Sequence, residues 1–255
     1  MSVKLAHGAG GKEMEEIIKE LIVSKLREEE KKVLGGIGLD IMDDGATIPH
    51  GDLHLVISTD SYTVKPIFFP GGDIGRLAVC GSINDVVVMG ARPVAILDSV
   101  VVEEGMPIDQ LERILDSMIS VIREEGIPLI GGDFKVMPRG EVDQIVITTT
   151  AVGRPIGKPI VDNELRPGDK IVVTGSVGDH GATILALQQG VEVSLGQLTS
   201  DVRPLTRTLI PIFEKFGGNV HAARDPTRGG IASALNDWAE SSRTLILLKE
   251  DLIPV

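Results

Sequence analysis

Two kinds of hydrophobic pattern alternate along the first half of the chain. Three segments have the pattern of helices, 13–32, 74–90 and 106–126. Three others are short runs rich in β-branched residues, 53–61, 94–102 and 142–153. Pro107 suits the first turn of a helix, and Gly90 and Gly126 suit positions just after a helix end. The pattern predicts strands alternating with helices, including a helix over residues 13–32 and a strand that ends at Asp60.

The second half of the chain begins after a stretch without clear periodicity. Residues 154–169 contain three prolines, which favours a linker. Residues 170–190 then have the pattern of a strand, a glycine-rich turn and a helix, and further helices are predicted within 206–217 and 224–242. A strand is expected to start at Leu245. We therefore predict an α/β (α+β) protein with domains at 1–153 and 170–255, joined by the linker, and the second domain looks unfinished.

Composition and charge narrow the class of protein. The chain has 255 residues, 42% of them hydrophobic and 24% charged, as in ordinary globular proteins. Its net charge of −12 argues against binding nucleic acid, which requires Lys and Arg to neutralise phosphates. No apolar run approaches the roughly 20 residues that span a bilayer, and the N-terminus lacks the apolar core of a signal peptide. The single cysteine, Cys80, excludes an intramolecular disulfide and fits the cytoplasm.

The stretch IPLIGGDFKVMPRG, residues 127–140, has the pattern of a buried strand followed by two glycines, an acid and a base. The glycines allow a ligand to approach the backbone closely. Lys135 suits a phosphate oxygen, and its ordinary alternative is a lysine on a strand surface. HGAGGKE near the N-terminus is not a P-loop, because Glu13 replaces the required hydroxyl residue and the glycine spacing differs. A phosphate group would therefore have to be bound by another kind of site.

Carboxylates could form such a site, because they can bind Mg²⁺ that in turn binds the phosphate. Oxygen-bearing side chains stand at loops and element ends, at Asp43, Asp44, Asp60, Asn84, Asp85, Asp133 and Asp225. Most of them have an ordinary alternative as turn formers or helix caps. Asp85 is the hardest to explain this way, because it lies in an apolar helix, where an unpaired buried acid costs several kcal/mol.

Three further side chains could take part in chemistry. His7 and His180 lie in glycine-rich segments, where exposed backbone N–H groups favour anions, although both could be plain loop histidines. Cys80 is expected to be a small buried residue.

The order of the short motifs carries a resemblance. HGAGG, DDGA, STDSY, FFPGGD, SINDV, GGDFK, GDHGAT and RDPTRGG follow one another along the chain. This series resembles the HypE family of hydrogenase maturation proteins. That family belongs to the superfamily of ATP-binding enzymes that includes aminoimidazole ribonucleotide synthetase, selenophosphate synthetase and thiamine-monophosphate kinase. The resemblance extends from Val3 to Val255.

The resemblance implies a PurM-like fold of two α/β domains, the first of which pairs with its copy into an interfacial β-barrel in a homodimer. ATP would bind in a cleft beside that interface. Magnesium would be held by Asp43, Asp44, Asp60, Asn84, Asp85, Asp133 and Asp225. The nucleotide would contact His7, Gly8, Gly10, Gly11, Asp60, Lys135 and Asp225. Asp133 and Lys135 would act in catalysis, Asp133 by holding metal and Lys135 by meeting the polyphosphate or the substrate.

The family's reaction is the ATP-dependent dehydration of a carbamoyl group, carried as a thiocarboxamide on a C-terminal cysteine, to a thiocyanate. The implied partners are the carbamoyltransferase HypF and the iron scaffold HypC–HypD, which receives the cyanide. This chain ends at Val255 without such a cysteine, and Cys80 cannot replace it. We expect a truncated chain that keeps much of the nucleotide site and is not carbamoylated. The alternatives are a sister small-molecule kinase and a nucleotide-binding scaffold without catalysis; selenophosphate synthesis is disfavoured, since HGAGGK lacks a cysteine.

Overall fold

The structure, a computed structural model, describes residues 2–8, 11–191 and 198–255. The strands are β1 Ala46–His50, β2 Leu53–Tyr62, β3 Phe68–Phe69, β4 Gly72–Asp73, β5 Ala91–Glu103, β6 Leu129–Met137 and β7 Ile145–Pro155. The helices are α1 Lys12–Leu21, α2 Ile74–Val88, α3 Ile108–Glu125, α4 Asp179–Gln188, α5 Thr206–Phe216 and α6 Gly230–Ser241. Helices and strands alternate, so the predicted α/β class is confirmed.

One five-stranded sheet organises the N-terminal part, in the order β1-β2-β7-β5-β6. Only the β5–β6 pair is parallel within this sheet, and β3 pairs with β4 in a separate hairpin. Strand β7 alternates strictly, with Ile145, Ile147, Thr149 and Ala151 buried on the face that α2 covers. Helix α2 is buried along most of its length because it packs against the sheet, α3 and α5 together. This layer places Ser82 and Asp85 of α2 directly over the sheet.

The termini of the two central helices agree with the sequence signals. Helix α2 is followed by Gly90 with φ +73°, and α3 ends at Gly126 in the left-handed conformation.

The predicted helix over 13–32 is wrong beyond Leu21, since Ile22 leaves the helix and only short 3₁₀ turns follow. None of the side chains of α1 is fully buried, so no core contact supports a longer helix.

Strand β6 differs from its prediction. Gly131, Gly132, Asp133 and Lys135 lie within the strand, not beyond its end, and residues 129–136 are all exposed. The strand is at the edge of the sheet and pairs only with β5. A continuous apolar run is typical of a buried parallel strand, so the sequence alone could not distinguish this edge strand from a central one.

The C-terminal part is helical. Helices α4, α5 and α6 confirm the predicted helices, but the expected strands at 170–175 and from Leu245 are not formed, and no strand follows Pro155 in the described part of the chain. Val172 and Leu247 are each 84% exposed. A strand requires a partner that completes its backbone hydrogen bonds, and neither segment has one among the described residues.

The C-terminal part packs on the N-terminal part through α5. Ile210 and Phe213 of this helix are buried in the same core as α2 and α3. Arg92 of β5 also forms an ion pair with Glu214, with Nη2 and Oε1 2.6 Å apart. Within the described ranges, no helix is long and apolar enough to cross a membrane.

Candidate functional site

Four carboxylates from separate elements converge where the two parts of the chain meet. Asp44 precedes β1, Asp60 lies in β2, Asp85 in α2, and Asp225 in the loop before α6. Burial is the main cause of their raised pKa values, and their charges add to it: Asp225 further raises the pKa of Asp44 and Asp85, and Asp60 further raises that of Asp225. We call these four side chains the acidic centre.

The alternation of β2 points Asp60 towards α2. Val56 and Ser58, four and two residues earlier, are buried on the same face of the sheet. Ser58 Oγ donates a hydrogen bond of 2.6 Å to Oδ2 of Asp85, which itself is buried in α2. The buried acid that the sequence left unexplained is thus paired with a hydroxyl from the strand beneath it.

The loop before β1 packs closely against β2 and the end of α2. A Cβ atom on Gly45 would lie 2.8 Å from Sδ of Met89 and 2.9 Å from the carbonyl oxygen of Ile57, so only glycine fits without a shift. This close approach holds the preceding residue, Asp44, beside α2. Oδ2 of Asp44 is buried and has no hydrogen-bond partner among the described residues.

The acidic centre has four acidic side chains, and the basic side chains paired with them are Arg224 and Arg228. Burial raises the pKa of Asp44 and Asp85 well above the usual range, and it raises the pKa of Asp225 to about 6. Arg228 is the nearest cation to Asp60, with 3.7 Å between Nη2 and Oδ1. Buried carboxylates with little compensation, one of them with a free oxygen, are the donor set that a hard divalent cation prefers.

Asp43 and Asp44 have different surroundings although they are neighbours in sequence. Asp43 accepts hydrogen bonds from two backbone N–H groups, from Asp44 at 2.8 Å and from Asp162 at 2.9 Å. Its carboxylate therefore ties the loop before β1 to residue 162 instead of facing Asp60 or Asp85. Asp43 thus lies beside the acidic centre, and its predicted role as a metal ligand stays a prediction.

Asp162, whose backbone N–H binds Asp43, also accepts hydrogen bonds from three side chains of the C-terminal part. Trp238 Nε1 donates to its Oδ1 at 2.6 Å, and the hydroxyls of Ser241 and Ser242 donate to its carbonyl oxygen at 3.0 and 3.1 Å. Carboxylate oxygens of Asp43, Asp44 and Asp162 lie within 4.8 Å of one another. Burial, followed by the charge of Asp43, raises the pKa of Asp162 to about 7.

Arg224 is the cation that lies against this group of acids. Its Nε is 3.3 Å from Oδ1 of Asp44, and its Nη1 is 3.1 Å from carboxylate oxygens of both Asp162 and Asp237. Two carboxylates about 4.8 Å apart repel by about 3.5 kcal/mol at an effective dielectric constant of about 20. A guanidinium between them offsets that repulsion while they remain ionised.

Three of the predicted site residues lie apart from the acidic centre in the single chain. Asn84 donates to the carbonyl oxygen of Arg203 at 3.0 Å and accepts from the N–H of Leu205 at 2.8 Å, so it holds the C-terminal part against α2. Asp133 and Lys135 lie on β6, three strands away from Asp60.

The register of the sheet fixes how far apart those groups are. Asp60 pairs with Thr149, which pairs with Asp98, which pairs with Gly132. At about 4.8 Å per strand, Asp60 and Gly132 are about 14 Å apart. Asp133, the next residue, points to the opposite face of the sheet, away from α2. Roles for Asp133 and Lys135 in catalysis therefore stay a prediction.

The N-terminal glycine-rich segment contacts the loop that carries Asp225. A Cβ atom on Gly229 would lie 3.7 Å from the backbone nitrogen of Gly11, and Nη1 of Arg228 is 4.0 Å from Sδ of Met14. Gly11 precedes α1 and Gly229 precedes α6, and neither helix has a side-chain cap. Both helix N-termini thus lie near the loop that carries Asp225, without a side-chain cap among the described residues.

The other residues predicted in that segment are only partly placed. Nδ1 of His7 accepts a hydrogen bond from the backbone N–H of Lys4 at 3.2 Å, and Gly8 is exposed. Gly10 lies outside the described residues. Nδ1 of His180 lies 2.9 Å from Oγ of Ser200, in the C-terminal part.

Cys80 is a core residue, as predicted. It is 1% exposed, and burial raises the pKa of its thiol to about 12. A thiol that stays protonated and inaccessible cannot act as a nucleophile.

Sequence reasoning missed Asp162, Arg224, Arg228 and Trp238. Arg224 and Arg228 flank Asp225 in RDPTRGG, and that spacing was an available signal. Asp162 lies in a proline-rich stretch without periodicity, where nothing local indicates a buried acid.

Comparisons with known proteins place the chain among related sequences. The family model for the N-terminal domain of AIR synthase related proteins matches residues 42–154, and the model for their C-terminal domain matches residues 166–255. Carbamoyl dehydratase HypE of Azotobacter vinelandii is 40% identical over 257 residues, which cover 100% of this chain and 72% of that protein.

Two solved structures are similar to the fold. The crystal structure of a HypE–HypF complex matches with a TM-score of 0.83 and 33% identity, over 93% of this chain and 74% of that one. The crystal structure of HypE in complex with ATP matches with a TM-score of 0.72 and 40% identity, over 94% of this chain and 69% of that one.

Proposed function

This chain belongs to the HypE family of hydrogenase maturation proteins, and we propose that it uses ATP to dehydrate a thiocarboxamide to a thiocyanate. The product would supply the cyanide ligands of nickel–iron hydrogenase. The observation that carries the proposal is the acidic centre, which lies beside two uncapped helix N-termini. Carboxylates for a divalent cation next to N–H groups for an anion form a site suited to a metal–polyphosphate ligand.

Magnesium fits this donor set, because Oδ2 of Asp44 is buried without a hydrogen-bond partner among the described residues and the charges of Asp85 and Asp225 act on this carboxyl group. We propose that Asp44, Asp60, Asp85 and Asp225 hold the ion. When bound, it would neutralise charge on the phosphate oxygens during phosphoryl transfer.

The polyphosphate would lie along the glycine-rich segment. The starts of α1 and α6, which have no side-chain cap among the described residues, suit phosphate oxygens. We propose that His7, Gly8, Gly10 and Gly11 contact the nucleotide on this side. Arg228 is half exposed and only weakly paired with Asp60, so its guanidinium is available to a phosphate.

The chemistry balances with ATP as the dehydrating reagent. The amide oxygen attacks the γ-phosphorus, ADP leaves, and a proton is lost from nitrogen. The carbon–oxygen bond then breaks, phosphate departs with the former amide oxygen, and loss of the second nitrogen proton leaves the nitrile. The protein must position the amide oxygen in line with the leaving ADP and exclude competing water.

The thiol that bears the carbamoyl group would come from outside these 255 residues, because Cys80 is buried and protonated. We propose that the carbamoyltransferase HypF loads that thiol and that HypC–HypD receives the cyanide, in the cytoplasm. The 1–153 and 170–255 division into domains is proposed on the same family grounds.

A homodimer completes the proposal. The sheet face opposite α2 and the exposed edge strand β6 would pair with a second copy in an interfacial β-barrel. Asp133 and Lys135 lie on that face, so we propose that they reach a nucleotide or substrate only in the dimer.

The proposal can be tested with a short peptide that ends in S-carbamoylcysteine. With Mg²⁺ and ATP, we expect one nitrile, seen by its infrared stretch, for each phosphate released, and no reaction with S-methylcysteine peptide. Phosphate release at the same rate with both peptides, without a nitrile, would contradict it. ATP binding with no turnover of either peptide would favour the scaffold alternative.

A further inference from the structure

We propose that Arg224 is a positioning residue that holds Asp44 in place for the metal. The proposal rests on the proposed function, because it concerns the same acidic centre. In this proposal the guanidinium of Arg224 neutralises the acids on one side of Asp44, and an exchangeable divalent cation neutralises the acids on its other side.

The contacts of Arg224 join three separate segments of the chain. Its partners are Asp44 from the loop before β1, Asp162 from the segment after β7, and Asp237 from α6. The side chain is 21% exposed, and the contacts to Asp162 and Asp237 are both 3.1 Å. A planar guanidinium can satisfy carboxylates on several sides at once, which the single ammonium of lysine cannot do in a fixed geometry.

Most other carboxylate oxygens of this group have partners; Oδ2 of Asp162 makes no hydrogen bond among the described residues but lies 3.1 Å from Nη1 of Arg224. Trp238 donates to Oδ1 of Asp162, and two backbone N–H groups donate to Asp43. Although Asp43, Asp44 and Asp162 are close enough to bind an ion, Arg224 already supplies their positive charge. We therefore place the divalent cation on the other side of Asp44, towards Asp60, Asp85 and Asp225.

Arg224 then determines which oxygen of Asp44 faces the metal. Its Nε lies 3.3 Å from Oδ1, while Oδ2 is buried and makes no hydrogen bond with any residue that the structure describes. Asp225, a proposed metal ligand from the C-terminal part, is the next residue along the chain. The same short segment therefore also carries Arg224, which holds Asp44, the proposed ligand from the N-terminal part. The guanidinium thus sets the relative position of carboxylates from both parts.

The test measures how ATP binding to the full chain depends on Mg²⁺ concentration. We expect Arg224→Gln to raise the Mg²⁺ concentration for half-maximal ATP binding by about tenfold or more, as outer-sphere partners of metal ligands do. ATP affinity at saturating Mg²⁺ should change little, and Arg224→Lys should fall between the parent and the glutamine variant. Arg92→Gln is the matched control, since it also breaks an ion pair between the two parts.

The outcomes separate a positioning role from other roles. If Arg224→Gln needs the same Mg²⁺ as Arg92→Gln, the inference fails while the proposed function stands. If it needs less, Arg224 only repels the cation, and the inference also fails. An equal loss of ATP affinity at all Mg²⁺ concentrations would indicate a general structural role instead. If Arg224→Gln does not fold, Arg224→Lys must still show the shifted Mg²⁺ requirement. No Mg²⁺-dependent ATP binding by the parent would contradict both proposals.

Discussion

The N-terminal and C-terminal parts of this chain reach stability in different ways. The N-terminal part has a five-stranded sheet whose inner face is covered by α2 and α3, and it contains most of the buried apolar side chains. The C-terminal part has three helices and no strand among its described residues, and apolar side chains such as Val172 and Leu247 are exposed. It is held to the first part by the core contacts of α5 and by polar contacts at Asn84, Asp162 and Arg224.

This difference matters for the site because the acidic centre uses both parts. Asp44, Asp60 and Asp85 are fixed by the sheet and α2, whereas Asp225 depends on how the C-terminal part is docked. Changes that loosen the docking should therefore impair the site before they impair the N-terminal fold.

The largest expected effect contrasts the two parts directly. Ile147 is fully buried in β7, so Ile147→Ala should lower the free energy of unfolding by about 2–5 kcal/mol. Leu247→Ala should change it by less than about 0.5 kcal/mol, because its side chain is 84% exposed. Urea unfolding followed by circular dichroism measures both variants. Equal losses would show that Leu247 is packed in solution, against the structure.

A second substitution should damage the site and the fold together. Gly45→Ala would force a Cβ atom against Met89 and the backbone of Ile57, which should cost about 1–3 kcal/mol and displace Asp44. Weaker Mg-ATP binding should accompany the loss of stability. Gly157→Ala is the control, since a Cβ there meets nothing within 4 Å. Unchanged Mg-ATP binding by Gly45→Ala would mean that Asp44 is not held by this loop.

The buried acids predict a pH dependence of stability in the metal-free protein. The folded pKa values of Asp162 and Asp225, about 7 and about 6, lie above the unfolded value of about 3.9. The folded protein therefore binds more protons within this window, so these two groups make the free energy of unfolding rise as pH falls from about 7 towards 4.

Asp162→Asn isolates that effect from other titrating groups. Burial lowers the pKa of His180, which acts in the opposite direction in the same range. Thermal melts of parent and variant at pH 5.5 and 7.5, without metal, should show a smaller gain on acidification in Asp162→Asn. The same gain in both proteins would contradict the raised pKa of Asp162.

The smallest expected effect concerns the exposed ion pair between the parts. Arg92 and Glu214 are each about half exposed, so Arg92→Gln should cost less than about 1 kcal/mol. High salt should remove even that difference in urea unfolding. A larger loss would contradict the minor role that we assign to this exposed ion pair.

Local patterns predicted much of the fold. Gly90, Pro107 and Gly126 marked the ends of α2 and α3, and the β-branched runs marked β2, β5 and β7. These local patterns failed where the structure of a segment depends on which other strands pair with it. The apolar run of β6 could not reveal that it lies at an edge, and the apolar segments near Val172 and Leu247 could not reveal that they lack a partner strand.

The site shows the same limit. Among the acidic residues that the sequence singled out, Asp44, Asp60, Asp85 and Asp225 are linked by their charges in the structure, and their role as metal ligands stays a prediction. The sequence could not separate Asp43 from Asp44, because their difference depends on the backbone N–H of Asp162, more than a hundred residues away. Arg224 was missed for the same reason, since its partners come from three distant segments.

The most direct test of the account is a calorimetric titration of the full chain with Mg-ATP, beside Asp225→Asn and Asp143→Asn. Asp143 is an exposed acid paired with Lys65, so it serves as the control. We predict that the parent and Asp143→Asn bind Mg-ATP alike, and that Asp225→Asn loses most of the affinity while its circular dichroism spectrum is unchanged. Equal binding by all three proteins would contradict a metal–nucleotide site built from both parts of the chain.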